Sequence, residues 1–187
     1  MKKIIIFLLL TNYVFAQKPC ELAENFTDSI GTYKSTKETM VHERIFAGNE
    51  AILFLSLLND NGTPALNLKI IQKSSDFIKA NCMNASTKLL FQLANGKIIT
   101  MIHNKGEDCG NFYRNPDDQK NTRFNSGIFL FLQGTMEDLK ISPILFLRIQ
   151  YSTETKDYVM VKELSSEFTK KVSYPENFFI DHLHCVE

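Results

Sequence analysis

Two Asn-Gly dipeptides, Asn61-Gly62 and Asn95-Gly96, each stand between runs of apolar residues. They constrain the fold of this chain more than any other feature. Both central positions of the tightest hairpin turn need positive φ, which Asn and Gly adopt at least cost. Each dipeptide therefore predicts two antiparallel strands in which residues equidistant from the turn face one another. Around Asn61-Gly62 that rule pairs Leu57 with Leu66, Leu55 with Leu68 and Leu53 with Ile70, and it leaves Ser56 opposite Asn67. One face is aliphatic and the other polar, as a sheet with one wet face requires. Around Asn95-Gly96 it pairs Leu93 with Ile98, Phe91 with Thr100 and Leu89 with Ile102.

The second hairpin also bears on the cysteines. There are four, Cys20, Cys82, Cys109 and Cys185, and an even count in an exported chain implies two disulfides. Cys82 and Cys109 are equidistant from Asn95-Gly96, so a hairpin continued without a bulge sets them face to face. Facing Cα atoms in an antiparallel pair lie ~4.5–5.5 Å apart, within bridging range. Cys20 and Cys185 then remain to tie the two ends of the chain.

Export is read from the first sixteen residues. Lys2 and Lys3 precede the apolar run IIIFLLL, and Val14-Phe15-Ala16 fits the small-residue cleavage rule. Residues 1–16 thus read as a signal peptide cut before Gln17. The apolar run is far shorter than the roughly 20 residues a membrane-spanning helix needs, so no membrane anchor is expected in the mature chain. Residues 17–187 then form a single exported globular domain, secreted or periplasmic, with a sizeable core. Removing Lys2 and Lys3 leaves 19 basic against 21 acidic residues, a net charge of −2. No basic run stands out, which argues against nucleic acid as a partner.

Along the rest of the chain, residues 17–30 read as an irregular lead-in, and 32–46 as one or two charged edge strands. Residues 128–133 (IFLFLQ) are apolar on both faces and predict a central strand. A short helix starts near Thr135, and a third hairpin joins 144–151 to 157–162. Residues 166–172 and 175–185 read as two short helices, the second with Pro175 in its first turn. The fold class is α+β, predominantly antiparallel β with seven to nine strands in successive hairpins and short C-terminal helices. An all-β sandwich is the alternative. The phenylalanines default to core packing.

Candidate chemistry is sparse. No Gly-x-Ser-x-Gly elbow, His-Glu-x-x-His pair or phosphate-cradling glycine pattern occurs, and no cofactor is called for. His182-Leu183-His184-Cys185 carries zinc-ligand residue types. On a helix, however, His182 and His184 diverge, and an exported Cys185 is expected to be oxidised. Residues 103–123 read as one long polar loop, and such loops are more often functional than short ones. In it Glu107, Asp108, Asp117 and Asp118 offer oxygen ligands, and Tyr113, Arg114 and Arg123 offer partner contacts. These observations point to a non-enzymatic exported domain that binds a protein or envelope component. The alternative is a secreted hydrolase using a Cys–His pair (His42, His103, His182 or His184 supplying the imidazole) or a metal site.

Overall fold

The computed structural model describes residues 18–104 and 106–187; the signal-peptide reading of 1–16 lies outside the described residues. Eleven strands form one antiparallel sheet: β1 (Leu22–Thr27), β2 (Thr32–Thr36), β3 (Thr39–Phe46), β4 (Asn49–Asp60), β5 (Thr63–Ser74), β6 (Lys88–Leu93), β7 (Ile98–His103), β8 (Asn111–Arg114), β9 (Asn121–Phe131), β10 (Ile144–Gln150) and β11 (Thr155–Val159). A helix α1 (Met136–Ile141) precedes β10. The C-terminal part holds a two-stranded ribbon, β12 (Leu164–Ser165) and β13 (Val172–Ser173), then a 3-10 turn and the helix α2 (Phe178–His182). The predominantly antiparallel fold class with short C-terminal helices is therefore the observed one. It is one continuous curved sheet, not a two-sheet sandwich and not a barrel.

The order across the sheet is β1-β2-β4-β5-β9-β7-β6-β10-β11, with β3 also on β4 and β8 also on β9. The centre is the β4–β5 hairpin, whose register pairs Leu57 with Leu66, Leu55 with Leu68 and Leu53 with Ile70, as the turn chemistry predicts. Asn61 and Gly62 both take positive φ (52° and 82°), and Asn67 Nδ2 donates to Ser56 Oγ on the opposite face.

The β6–β7 hairpin departs from the expected register by one residue. Leu89 faces Met101 and Phe91 faces Ile99. Only Gly96 of its dipeptide takes positive φ (84°), and Gly96 N–H donates back to Leu93 O. This is a three-residue connection with a bulge at glycine, the next commonest hairpin geometry. Because side chains alternate, the shift exchanges the faces of β7. Ile99 is 4 % exposed while Ile98 is 61 % exposed.

Four short strands account for the excess over nine. The lead-in contains β1, paired with β2. The 103–123 stretch is not one loop, since it contains β8 and the start of β9. The segment read as a helix over 166–172 is instead the β12–β13 ribbon, where Glu43 accepts hydrogen bonds from Ser166 Oγ and from the N–H groups of Glu167 and Phe168. Those three tertiary bonds hold the turn that joins β12 to β13, giving two backbone N–H groups and a hydroxyl their acceptor.

The concave face holds the main core: Leu53, Leu55 and Leu57 of β4, Leu66 and Leu68 of β5, Leu89 and Phe91 of β6, Phe129 of β9 and Leu147 of β10. Into it α2 inserts Phe178 and Phe179, with Phe179 edge-on to Phe91 at 5.1 Å. Each such fully buried ring is worth on the order of 2–3 kcal/mol by area. Two edge strands of the sheet, β3 and β11, meet at His42 and Tyr158, whose rings are 5.0 Å apart. Residues after β11 seal that seam, with Ser173 Oγ donating to Met40 O and Glu176 N–H to Val161 O.

Candidate functional site

At the far end of β4, β5 and β9 the concave face changes from apolar to polar. On β9 the residues at alternate positions Asn121, Arg123 and Asn125 share that face and are buried. Above them runs the segment 75–83, which links β5 to β6 and has little ladder of its own. Its main-chain carbonyls need donors, and the three side chains provide them. Asn121 Nδ2 donates to Ser75 O and Asp76 O (3.3 and 2.9 Å), Arg123 Nε to Ile78 O (3.1 Å), and Asn125 Nδ2 to Asn81 O (2.6 Å). A second guanidinium nitrogen of Arg123 donates to Cys109 O at 3.2 Å.

Two further devices close this segment against the chain before β8. Met83 and Asp108 exchange N–H···O bonds of 2.7 Å in both directions, and beside them Cys82 is bridged to Cys109. The equidistance rule holds for Cys82 and Cys109 and for Met83 and Asp108, although β6 and β7 between them are shifted by one. The turn at 84–87, where Thr87 N–H donates to Asn84 O, separates the two registers. Cys20 is bridged to Cys185 with Cα atoms 5.6 Å apart.

This frame presents aromatic side chains to solvent. Phe112 of β8 stacks on the Arg123 guanidinium at 5.1 Å, and Phe77 of the 75–83 segment rests on Phe112 with centroids 5.7 Å apart. Phe77 is 75 % exposed, Phe46 at the β3–β4 tip 68 % and Tyr113 55 %. Between Phe46 and Phe77 lies a cleft of about 330 Å³, lined also by Arg44, Gln72, Lys73 and Ile78. Beside it the Glu50 carboxylate takes both Lys73 (3.6 Å) and Lys120 (3.2 Å).

The residues singled out from the sequence divide into three groups. Arg123 is 8 % exposed and serves the frame, with no face left for a partner. Tyr113 and Arg114 are exposed on β8, where an Arg114 guanidinium nitrogen donates to Gln119 Oε1. The four acids do not converge. Asp108 Oδ1 accepts Gly110 N–H before β8, Asp118 Oδ1 accepts Lys120 N–H after it, and Glu107 and Asp117 are their neighbours. The three residue steps of β8 between those pairs span roughly 10 Å, too far for one cation shell at about 2.4 Å.

The histidines are occupied by structure. His182 Nδ1 donates to Phe178 O at 2.8 Å within α2 and its ring stacks on Phe178. His184 Nε2 lies 3.1 Å from Lys18 O and 3.3 Å from Cys20 Sγ. The two soft-donor clusters among the described residues, Cys20–His184–Cys185 and Cys82–Glu107–Cys109, are both built on bridged cysteines. No cysteine among the described residues is a free thiol, so neither a thiolate nucleophile nor a thiolate ligand is available in this oxidation state.

The sequence reading missed Phe46, Phe77 and Phe112 as surface residues. Phe46 follows Ile45, Phe77 precedes Ile78 and Phe112 precedes Tyr113, and no alternation marks any of the three as exposed. Comparison with protein-family models, with curated proteins and with solved structures finds no match to this chain. Among the described residues no helix is long and apolar enough to cross a membrane.

Proposed function

We propose that this protein is an exported, disulfide-stabilised, non-enzymatic domain that binds a protein partner, of the envelope or the secreted fraction, through the aromatic end of its sheet. The observation that carries the reading is the exposure of Phe46 and Phe77 on either side of the cleft. Aromatic side chains and arginine are enriched at the buried centres of protein interfaces, and exposed apolar patches rimmed by polar groups mark such surfaces. Arg44 at the cleft supplies the second of these residue types.

Rigidity supports the same reading. The Arg123, Asn121 and Asn125 bonds and the Cys82–Cys109 bridge hold the 75–83 segment before any partner arrives. Less ordering entropy is then lost on binding. The hydrolase alternative in its Cys–His form requires a thiol, and the four cysteines are bridged.

Affinity capture from envelope and secreted fractions tests the proposal, comparing the native protein with the Phe46→Ser/Phe77→Ser variant. The native protein is expected to recover a saturable partner that the variant loses, with both melting at the same temperature. Equal capture by the two proteins, or no saturable partner for the native one, removes this reading.

A further inference from the structure

Four strands leave one edge of the sheet open, and three of them are protected in the ways natural sheets avoid edge-to-edge pairing. On β1 there is a bulge between Leu22 and Glu24, and Glu24 itself is charged. β3 has a bulge between Met40 and His42 and lies against β12 and β13. β11 carries Lys156 and Asp157. β8 is the least protected: Asn111-Phe112-Tyr113-Arg114 is regular, has no bulge, Pro, Lys or acid, carries one charge, Arg114, at its end, and is exposed at every position. Among the described residues it pairs with β9 alone.

The register says which groups of β8 point outward. Asn115 N–H donates to Lys120 O at 2.8 Å. Because bonded and non-bonded pairs alternate in an antiparallel ladder, Tyr113 and Asn111 also turn their main-chain groups toward β9. The N–H and C=O groups of Phe112 and Arg114 therefore face away from it.

We infer that β8 pairs antiparallel with β8 of a second copy, about a two-fold axis passing beside Tyr113. Three two-fold registers use the outward groups. Centring on Arg114 sets two guanidinium groups face to face, which is destabilising. Centring on Phe112 brings Gly110 into the ladder, and its φ of +69° is not extended. Centring on Tyr113 sets Phe112 opposite Arg114 of the second copy, twice over, with four N–H···O bonds and no like charges opposed. The strand is thus its own complement, the requirement for an isologous interface. A two-fold axis perpendicular to the sheet keeps both concave faces on the same side. The two Phe46–Phe77 clefts then open together, an arrangement suited to bivalent capture.

Sedimentation and light scattering on the oxidised protein, from about 1 μM to about 1 mM to span weak self-association, test this inference. The expected result is a monomer–dimer equilibrium that two variants abolish. Arg114→Pro removes one outward N–H and no bond to β9, which a sheet edge tolerates. Tyr113→Lys sets two cations together across the axis. Each variant is expected to weaken the dimer at least tenfold while keeping the native melting temperature within a few degrees. A monomer throughout the range, or a dimer that either variant leaves intact, overturns the inference. So does a monomer whose β8 instead takes an extended peptide from another protein, seen as partner capture lost in Arg114→Pro.

Discussion

Arg123 stands opposite Phe112 across β9 and β8, and its guanidinium holds three parts of the molecule at once. It stacks on the Phe112 ring at 5.1 Å and donates to the carbonyls of Ile78 and Cys109. The exposed aromatic surface therefore rests on one buried cation. Replacing Arg123 with alanine strands the buried carbonyl of Ile78 and the partly buried one of Cys109, and is expected to cost about 3 kcal/mol. Arg123→Lys is expected to recover less than half of that, because a single ammonium does not reproduce the guanidinium fork. Chemical denaturation measures both, and amide exchange should rise first in 75–83. A loss below about 0.5 kcal/mol in the alanine variant would refute this role.

Gly110 is a second fixed point. Its φ is +69°, and a Cβ there would lie 2.1 Å from Phe124 O. Both the left-handed backbone and the backbone clash penalise any side chain. Gly110→Ala is expected to lose roughly 2 kcal/mol or more, against a few tenths for Gly106→Ala, since a Cβ at Gly106 meets nothing. Thermal unfolding of the two variants decides the point, and equal losses would contradict it.

The two disulfides close loops of very different size, with sequence separations of 165 and 27. Loop-closure entropy assigns about 5 kcal/mol to Cys20–Cys185 and about 3.5 kcal/mol to Cys82–Cys109. Paired serine replacements at each bridge should therefore rank in that order in denaturant midpoints. The reverse ranking would mean that Cys82–Cys109 acts mainly in the folded state, by holding the 75–83 segment.

Acid should weaken the seam between β3 and β11. Burial first, and Arg44 second, hold the His42 imidazole below its ordinary value of 6.5. Burial, aided by Glu154, pushes Tyr158 up to about 12, so it stays neutral through the same range. The unfolded chain then takes up a proton near pH 6.5 that the folded chain resists. Stability is thus fully present above that pH and falls as pH drops toward the folded value. Melting temperature across pH 7.5 to about 5 should show this slope, and His42→Phe should flatten it. An unchanged slope in the variant would assign the acid sensitivity elsewhere.

Much of the architecture is legible in single residues. Asn61-Gly62, flanked by two aliphatic alternations, specifies the central hairpin to the residue, because only one register buries Leu53, Leu55, Leu57, Leu66, Leu68 and Ile70 together. Pro175 and the apolar run after it specify the C-terminal helical segment. Asn95-Gly96 is ambiguous in a way that Asn61-Gly62 is not. Glycine takes positive φ in both the two-residue turn and the three-residue bulged turn, and β7 has isoleucines on both faces. Local sequence therefore leaves the register open, and it is decided by whether Ile99 and Met101 or Ile98 and Ile102 meet the core. The structure buries Ile99 and Met101.

What the amino-acid order determines here is whatever rests on near neighbours: turn conformation, strand alternation, and the tally of four cysteines. What tertiary structure alone decides is whatever needs partners distant in the chain. The acids around β8 look like one cluster in sequence but are separated by an extended strand, which keeps sequence neighbours apart. Phe46, Phe77 and Phe112 are separated by about thirty residues each, yet antiparallel pairing brings their strand ends to one edge of the molecule. Arg123 reads as a surface cation until β9 places it beneath the carbonyls of Ile78 and Cys109, to which it donates. The physical reason is common to all three: exposure belongs to the packed layers, and no residue carries it alone.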